Sequence, residues 1–383
     1  MKGRIKVAVV ITRLDLGGAQ QVALETAKRL DPERFEAFLV AGPGGMLDQE
    51  AEAALGSRFV RLPWLKHPIS PLWDLLATLR LAWFFAGRRV DVVHTHSSKA
   101  GLVGRAAAWM AGVPLVAHTV HGWSFHDAMG RRARAAYAAL ERLLAGVTDL
   151  LVCVAASVRD KGLLNRIGRP EQYRVVRAAV DLPAWRGAAR HRASARRELG
   201  LKPGEALVGC VANCKPQKNP LDFVRVARRV LESHPRTRFV YLGDGPLRPE
   251  AEALARSWGL SDRVRFLGWR GDAARLASAF DLFLLTSRWE GLPCVLPQAF
   301  CLGLPVVATD VDGAPELVRE GRSGYLCQSG DVEALAGRVG LLLAEPARRR
   351  AMGRAGRASL GPEWGFGDMV RRCEGLYQAA RKA

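Results

Sequence analysis

One segment of the sequence places a carboxylate directly before a tight turn: Thr286-Ser-Arg-Trp-Glu-Gly-Leu-Pro-Cys-Val-Leu-Pro-Gln298. The segment follows the apolar run DLFLL and precedes a predicted helix, so the backbone amides of Gly291 and Leu292 should lie at a helix N-terminus. Amides in that position bind anions or sugar hydroxyls. Glu290 lies on the approach, where its carboxylate could accept hydrogen bonds from vicinal hydroxyls. The alternative is that Glu290 only completes the helix cap.

A second segment, Asn213-Cys-Lys-Pro-Gln-Lys218, carries two lysines between the strand ALVGCVA and the helix DFVRVARRVL. Lys218 is close to the predicted helix start, where the helix macrodipole makes a cation unfavourable. A solvated lysine is the alternative, but the unfavourable placement favours a bound anion that offsets it. We therefore expect an anion-binding loop after this strand.

Glycine-containing turns follow three further predicted strands. Gly17-Gly18-Ala19 comes after the first strand and opens a helix, as a turn that contacts a phosphate or another part of a substrate would. Gly243-Asp244 ends another strand, and Trp269 lies in the loop after a third. The sequence contains no G-x-G-x-x-G fingerprint, which disfavours a nicotinamide-dependent dehydrogenase.

Histidines cluster in one part of the sequence, where five of the eight lie at positions 94, 96, 118, 121 and 126. His94 and His96 end one predicted strand, and His118 and His121 end the next, so these side chains should gather at one edge of a sheet. A metal site is disfavoured because His94 and His96 have no acidic ligand at a suitable spacing. We expect neither a metal nor another cofactor. Hydrogen-bonded residues at strand ends are the alternative for His94 and His96.

The run Ser97-Ser98-Lys99 follows the same strand and begins a predicted helix. Two hydroxyls and a lysine at a helix N-terminus suit a phosphate group. An N-cap followed by a solvent-exposed lysine fits the same residues equally well.

Short β-branched runs alternating with longer amphipathic stretches must position these residues. Buried strands are predicted at 5–11, 35–41, 90–94, 115–119, 150–155, 206–212, 239–243, 264–267, 282–286 and 306–309. Helices are predicted near 20–30, 70–87, 99–111 and 131–145, and again between the later strands. This alternation predicts an α/β fold with parallel sheets covered on both faces. In such sheets, ligands bind beyond the carboxyl ends of the strands.

The alternation stops at about 183–203, where the sequence is polar, basic and without strand signals, and then restarts. A length of 383 residues also agrees with two domains. We predict two Rossmann-like, doubly wound domains that face each other across a cleft, at 1–183 and 204–365. A C-terminal helix at 366–383 is expected to pack back on the first domain.

The charge of the chain limits the classes of molecule that it is expected to bind. Lys and Arg number 57 against 37 Asp and Glu, which gives a net charge of +20. This charge favours a phosphate-rich substrate or an anionic lipid, although an Arg-rich proteome with solvated helix faces explains it equally. Motifs of specific nucleic-acid binding are absent from the sequence, so no such partner is expected. Seven scattered cysteines indicate free thiols in a reducing cytosol, and neither a signal peptide nor a membrane-spanning segment is predicted.

The predicted helix at 70–87 is rich in large apolar residues. Five of them share one helical stripe, which we interpret as core packing: Leu72, Leu75, Leu76, Leu79 and Trp83. Three aromatic residues lie off the stripe, beside arginines, and suit contact with an anionic bilayer: Trp73, Phe84 and Phe85.

In their order along the chain, these motifs resemble the retaining, family-4 glycosyltransferases of the GT-B fold. The family signature has a glutamate that opens the turn EGLP and, after seven intervening residues, a second glutamate. Glu290 matches the first, and Gln298 stands at the second position. In the family's diphosphate loop an arginine and a lysine neutralise the leaving group. Lys218 matches that lysine, and Asn213 stands in the arginine's place.

The resemblance implies a role for each matching residue. In the catalytic set, His121 would position the donor sugar, Glu290 would contact it, and Lys218 would stabilise the departing diphosphate. The other donor-binding residues are expected to be Gly18, Asn213, Gly243, Asp244, Trp269, Gly291, Leu292, Pro293 and Gln298. The acceptor-binding residues are expected to be Gly17, Ala19, His96, Ser98 and Lys99.

The resemblance also implies an activity. A sugar would move, with retention of configuration and without a metal, from a nucleotide diphosphate sugar (UDP preferred over GDP) to an acceptor hydroxyl. The acceptor would be a saccharide or lipid-linked glycan of cell-envelope polysaccharide synthesis, bound by the N-terminal domain while the C-terminal domain binds the donor. We expect a cytoplasmic enzyme with peripheral contact on the inner face of the membrane. The alternatives are a nucleotide-sugar epimerase of the same fold and a non-catalytic member, which the neutral Asn213 and Gln298 suggest.

Overall fold

The chain forms two compact units in the computed structural model, which describes residues 3–66, 68–127 and 129–380. Unit 1 contains the residues up to Ala179 together with those from Pro362 onward, and unit 2 runs from Val180 to Gly361. Each unit has its own all-parallel sheet interleaved with helices. The predicted fold class, two doubly wound parallel sheets, is confirmed.

The sheet of unit 1 has seven strands in the order β3-β2-β1-β4-β5-β6-β7. The strands are Ile5–Arg13 (β1), Phe35–Gly42 (β2), Phe59–Arg61 (β3), Val92–His96 (β4), Leu115–Val120 (β5), Leu150–Cys153 (β6) and Tyr173–Val175 (β7). The helices before unit 2 are Gly18–Arg29 (α1), Asp48–Leu55 (α2), Pro71–Arg88 (α3), Ser98–Met110 (α4), Arg131–Ala145 (α5) and Ala156–Leu164 (α6). The sequence did not predict β3 and β7, because three-residue edge strands are too short to show a periodic pattern.

The sheet of unit 2 has six strands in the order β10-β9-β8-β11-β12-β13. The helices are Leu182–Ala188 (α7), Arg192–Glu198 (α8), Pro220–Ser233 (α9), Arg248–Ser257 (α10), Ala273–Ala277 (α11), Val295–Cys301 (α12), Val332–Ala344 (α13) and Pro346–Ala358 (α14). The strands are Ala206–Val211 (β8), Thr237–Leu242 (β9), Val264–Phe266 (β10), Leu282–Leu285 (β11), Val306–Thr309 (β12) and Gly324–Cys327 (β13). The four-residue edge strand β13 was also missed by the sequence pattern.

The segment at 183–203, where the sequence alternation stops, is helical and packs within unit 2. Arg192 and Arg196 both bind the carboxylate of Asp281, at 2.6 and 3.0 Å, immediately before β11. Basic helices α7 and α8 therefore cover one end of the second sheet, and the division between the units falls at Ala179–Val180.

The last helix, Phe366–Ala380 (α15), follows unit 2 in the chain but belongs to unit 1. Glu374 accepts a hydrogen bond from the amide of Asp31 at 2.8 Å. The ring of Tyr377 meets that of Phe35 edge-on, with centroids 6.2 Å apart. Residues 381–383 of the predicted helix lie outside the described residues.

The interpretation of α3 from the sequence is wrong in both of its parts. Ala77, Leu81 and Phe85, which recur every four residues, are the buried residues of α3 and pack in one cluster with α4 and the sheet. The stripe predicted to be core is exposed instead: Leu72 (64%), Leu75 (56%), Leu76 (37%), Leu79 (46%) and Trp83 (65%). Phe85 is buried, and Phe84 and Trp73 are half-buried, so the off-stripe aromatics do not form an exposed face.

Candidate active site

Both sheets contain a topological switch point, where the strand order reverses on either side of the first strand. In unit 1 it lies between β1 and β4, and in unit 2 between β8 and β11. Ligands of doubly wound sheets bind in the crevice beyond the carboxyl ends of such strands. Gly17 and Ser98 follow the two strands of the first switch point, and Lys218 and Glu290 follow those of the second. Each unit therefore places predicted site residues where its fold binds ligands.

The switch point of unit 1 is closed by a hydroxyl pair. Thr12 Oγ1 and Ser97 Oγ share a hydrogen bond of 2.8 Å, and Thr12 Oγ1 also accepts the amide of Ala100 at 3.2 Å. Ser97 has φ 68° and ψ 153°, a region populated almost only by glycine. Gly17 is the N-cap of α1 in extended backbone, and Gly18 and Ala19 form the first helical turn.

Lys99 is not the free phosphate-binding cation that the sequence suggested. Its ammonium forms an ion pair with Asp74 in the first turn of α3, with Nζ and Oδ1 2.6 Å apart, and also donates to the carbonyl of Pro68. The lysine side chain is 11% exposed. Its charge is thus satisfied within the protein, while Ser98 stands at the start of α4 beside it.

Each of the four histidines of β4, β5 and the following turn makes a hydrogen bond. His94 Nδ1 bonds the hydroxyl of Tyr377 on α15 at 2.5 Å, and its Nε2 bonds Thr119 Oγ1 at 2.7 Å. His96 Nδ1 bonds His121 Nε2 at 2.9 Å, and His118 Nδ1 bonds Thr95 Oγ1 at 2.8 Å. The ring centroids of His94 and His96 lie 4.4 Å apart, and those of His96 and His121 lie 5.2 Å apart. His94, His96 and His121 therefore form a row of adjacent, tilted imidazoles that ends at His121.

Burial keeps this cluster neutral. It lowers the pKa of His94 to about 3 and that of His121 to about 4, and it holds the pKa values of His96 and His118 well below their ordinary value. In a hydrogen bond between two neutral imidazoles one nitrogen donates and the other accepts, so His96 restricts the tautomer of His121. Nδ1 of His121 is then the nitrogen available to a ligand.

His96 itself is fully buried, which corrects its predicted role as an acceptor contact. A side chain without solvent access does not meet an acceptor directly. Its position beneath His121 makes it a positioning residue instead, and its strand-end hydrogen bond agrees with the alternative drawn from the sequence.

A buried ion pair, missed by the sequence analysis, supports the turn that carries His121. Arg105 Nη2 lies 2.8 Å from Glu141 Oε2, and the two side chains are 0% and 5% exposed. Ser124, in the loop after His121, donates to the other carboxylate oxygen of Glu141 at 2.9 Å. Arg105 and Glu141 lie on two different helices and far apart in sequence, so no local pattern could have revealed the pair.

In unit 2, the predicted carboxylate and lysine meet. Lys218 Nζ lies 2.5 Å from Glu290 Oε1, and the side chains are 16% and 5% exposed. Ser287 Oγ donates to the same oxygen at 2.6 Å. The main chain of Glu290 is held as well, because its amide donates to Asp312 Oδ2 at 2.7 Å. A charge pair is therefore fixed at the second switch point.

The loops after β8 and β11 are tied to each other around this pair. Thr286 Oγ1 donates to the carbonyls of Lys218 and Asn219 at 3.1 and 2.9 Å. Gln217 donates to the carbonyl of Trp289 at 3.1 Å, and the amide of Arg288 donates back to the carbonyl of Gln217 at 2.7 Å. Hydrogen bonds to main-chain carbonyls thus hold together positions 67 to 72 residues apart.

The helix after Glu290 begins later than predicted. It starts at Val295, with Cys294 as its N-cap, so Gly291 and Leu292 lie in the preceding turn and do not form its N-terminus. A second turn follows at Pro293, whose carbonyl accepts a hydrogen bond from the amide of Leu296 at 3.0 Å, and it leads into the helix. Leu292 is buried, and Gln298 lies within the helix, 9% exposed.

The remaining predicted donor residues surround the end of β9. Gly243 has φ 145°, and an added Cβ would lie 1.9 Å from the carbonyl oxygen of Ala212, so only glycine allows this approach of two backbones. Asp244 pairs with Arg248 at 2.8 Å. Asn213 is half-buried, and its carbonyl accepts the hydroxyl of Tyr241 at 3.2 Å. Trp269 is 39% exposed in the loop after β10.

No group of three or more His, Cys, Asp and Glu side chains in the described ranges is arranged to hold a metal ion. Within the same residues, no helix combines the length and apolar character needed to cross a membrane.

Comparison with known proteins identifies the family. Residues 17–179 match the family described as a glycosyl transferase 4-like domain, and residues 191–359 match the glycosyl transferases group 1. The UDP-Gal:alpha-D-GlcNAc-diphosphoundecaprenol alpha-1,3-galactosyltransferase of Escherichia coli is 32% identical over 334 residues, which are 86% of each chain. The chain belongs to the group 1 glycosyltransferases. It is an enzyme that uses a nucleotide sugar.

Other relatives of this glycosyltransferase agree. The D-inositol 3-phosphate glycosyltransferase of Segniliparus rotundus is 33% identical over 285 residues, 71% of this chain and 63% of that one. The Anabaena protein HepE, solved with UDP and glucose, superimposes with a TM-score of 0.83 at 19% identity and covers 98% of this chain and 100% of its own. At that identity the likeness establishes the GT-B fold, as the sequence motifs predicted.

Proposed function

We propose that this glycosyltransferase moves a sugar from a UDP-sugar to a hydroxyl of a lipid-linked saccharide, with retention of the anomeric configuration. The observation that carries the proposal is the ion pair of Lys218 and Glu290 at the switch point of unit 2. Departure of a nucleoside diphosphate places negative charge on the β-phosphate, and a fixed cation stabilises that charge in the transition state.

The pair leaves both side chains the capacity to bind a donor. An ammonium has three donors, of which one is used on Glu290, so Lys218 can also bind a diphosphate oxygen. Glu290 uses Oε1 for Lys218 and Ser287, while Oε2 receives only a long contact of 3.5 Å from Gln217. That oxygen is suited to accept a hydroxyl of the donor sugar. Retention of configuration rests on the family resemblance.

A uridine nucleotide and a lipid-linked acceptor are supported by the relatives. The Escherichia coli relative carries a UDP-sugar and a diphosphoundecaprenol-linked saccharide in its name, and HepE was solved with UDP. We propose that the reaction takes place at the inner face of the cell membrane. We also propose that it needs no metal, because Lys218 supplies a positive charge for the diphosphate.

The proposal is tested by incubating the protein with UDP- and GDP-sugars and a short-chain polyprenyl diphosphate saccharide, with and without EDTA. We expect transfer from a UDP-sugar at a rate that EDTA leaves unchanged, and a product whose anomeric proton coupling matches that of the donor. An epimerised donor would support the epimerase alternative, and nucleotide binding without transfer or donor hydrolysis would support a non-catalytic role.

The site assignment is tested by two substitutions. Lys218→Met and Glu290→Gln should each lower kcat by roughly 10² to 10³, the usual loss when a charge-stabilising group is removed. Arg229→Met with Glu333→Gln removes an exposed ion pair of the same unit, 2.7 Å long, and should leave kcat within about twofold. Rates of the two site variants within threefold of wild type would contradict the assignment.

A further inference from the structure

The exposed stripe of α3 has the composition of a surface that inserts into a lipid boundary. Five large apolar side chains at spacings of three and four residues face solvent over three turns of the helix: Leu72, Leu75, Leu76, Leu79 and Trp83. Soluble proteins rarely expose contiguous apolar patches of this kind without a partner. A helix whose apolar face is outward and whose flanks are basic lies in the plane of a membrane interface.

The charges around the stripe select an anionic partner. Arg80, Arg88 and Arg89 are exposed on α3 or at its end, and Lys66 precedes it. Arg80 stacks over the ring of Trp83 at 4.2 Å, which keeps its guanidinium beside the apolar face. The one acidic residue of α3, Asp74, is paired with Lys99. Lys66 stacks over Trp73 of the same helix at 4.1 Å, whereas Arg88 lies on the sheet side of α3, over the ring of Phe38. Two cations beside the stripe and a neutralised carboxylate complement anionic head groups.

The same charges disfavour a second copy of the chain as the occupant. A twofold interface through α3 would bring Arg80 and its neighbours against their own copies, and like charges at close range repel. An anionic bilayer instead takes the leucines into the acyl boundary and the arginines into the head-group layer, where long basic side chains extend easily.

We propose that unit 1 docks on anionic membranes through this stripe. The biological role of this docking rests on the proposed function, because α3 also reaches the first switch point, where the acceptor is expected to bind. Its first turn binds Lys99 through Asp74, and Lys99 lies beside Ser98 at the first switch point. Docking through α3 brings that edge of the sheet to the head-group layer, where the diphosphate of a lipid-linked acceptor lies.

The test is flotation of the protein with liposomes of phosphatidylcholine alone or of phosphatidylcholine with about 30% phosphatidylglycerol, an anionic lipid that gives the vesicles a negative surface potential. The variant Leu75→Gln/Leu79→Gln/Trp83→Gln removes the core of the stripe. Its matched control is Leu143→Gln/Leu164→Gln, two exposed leucines of α5 and α6 in the same unit, 73% and 82% exposed. A second variant, Lys66→Gln/Arg80→Gln, removes the two cations beside the stripe and tests the charge.

We expect the wild type and the control to partition onto anionic vesicles within about twofold of each other, and the stripe variant to bind at least roughly tenfold more weakly. The charge variant should lose part of the binding, and salt should weaken the binding of the wild type. Equal binding to both lipids, or a stripe variant that floats like the wild type, would overturn the proposal. A wild-type dimer in light scattering that the stripe substitutions dissociate would assign the face to a second copy.

The same variants separate this inference from the proposed function. With a short-chain acceptor dissolved in detergent, the stripe variant should transfer sugar at the wild-type rate, because its site is intact. A wild type that floats on anionic vesicles but transfers to no acceptor would refute the function and leave the docking surface standing. Loss of transfer by the stripe variant in detergent would show that the substitutions damage unit 1. Leu75→Gln alone would then be compared with the wild type in the same flotation assay, where binding equal to that of the wild type would overturn the proposal.

Discussion

The two switch points use the same position in the fold but opposite electrostatics. In unit 1 the strand ends carry buried, neutral imidazoles that bond one another and Tyr377. In unit 2 they carry a fixed charge pair, Lys218 and Glu290. A neutral cluster positions a group by hydrogen-bond direction, whereas a charged pair responds to charge that develops on a ligand. Unit 1 therefore offers groups that orient a ligand, and unit 2 offers charges that can stabilise charge developing on one.

The largest expected difference between the two units is in how their stability responds to acid. The pKa values of the four histidines of this cluster lie below the 6.5 of an exposed histidine, so the unfolded chain binds protons first as the pH falls. Unit 1 keeps its full stability above pH 6.5 and loses up to about 1.4 kcal/mol per pH unit for each histidine between about 6.5 and 4. The described histidines of unit 2, His191 and His234, are partly exposed.

Hydrogen exchange at pH 7 and pH 5 measures this difference, with amides of β4 and β5 compared with those of β8 and β11 after correction for the intrinsic rate. The free energy of opening that exchange reports should fall by several kcal/mol for the amides of unit 1 and should change little for those of unit 2. Parallel losses in both units would break the comparison.

The stability of unit 2, which carries the Lys218–Glu290 pair, should depend on close backbone packing at Gly243. Gly243→Ala forces a Cβ against the carbonyl of Ala212 at a φ of 145° and should cost unit 2 at least about 2 kcal/mol in free energy of unfolding. Gly337→Ala, inside α13 with nothing within 4 Å of the added methyl, is the control and should be neutral or stabilising. Denaturant unfolding measures both, and equal stability of the two variants would contradict the structural role of Gly243.

The imidazole cluster of unit 1 should depend on the buried hydroxyl of Tyr377. Tyr377→Phe removes the partner of His94 Nδ1 and should lower the free energy of unfolding of unit 1 by about 1–2 kcal/mol. It should also lower kcat through His121, without a matching change in the affinity for UDP. Tyr137→Phe, at a partly exposed tyrosine of α5, is the comparison. A variant as stable and active as wild type would remove α15 from the positioning of the imidazoles.

A smaller effect is expected from restoring the charge that the resemblance finds missing in unit 2. Asn213→Arg should tighten UDP binding by about tenfold, the equivalent of one charge-assisted hydrogen bond. Asn213→Gln lengthens the side chain without adding charge and should stay within about twofold. Calorimetry with UDP measures both. No gain from the arginine would indicate that the exposed Lys215 already supplies this charge.

The sequence was informative where the signal is local. Strand–helix alternation predicted both sheets, and the order of strands then brings Lys218 and Glu290 together although they are 72 residues apart. It was not informative where tertiary packing decides. The apolar stripe of α3 looks like a core face, but Ala77, Leu81 and Phe85 fit the sheet better and turn the stripe outward.

The same limit applies to the site. Lys99 and His96 have the residue types of an acceptor site, and only the structure shows that one is neutralised by Asp74 and the other is fully buried. The helix start at Val295 was misplaced because Pro293 delays it. Ion pairs between distant elements, such as Arg105 with Glu141, leave no pattern in a single sequence.

The return of α15 to unit 1 has a consequence for the order in which the protein matures. Translation delivers β4 with His94 long before Tyr377, and the whole of unit 2 is made in between. His94 and Tyr377 are 283 positions apart, so at about 5–20 residues per second that interval is roughly 15 to 60 s. The nascent first unit must wait through it with an unfinished imidazole cluster, while the second unit, whose sequence is uninterrupted, can fold as soon as it has left the ribosome.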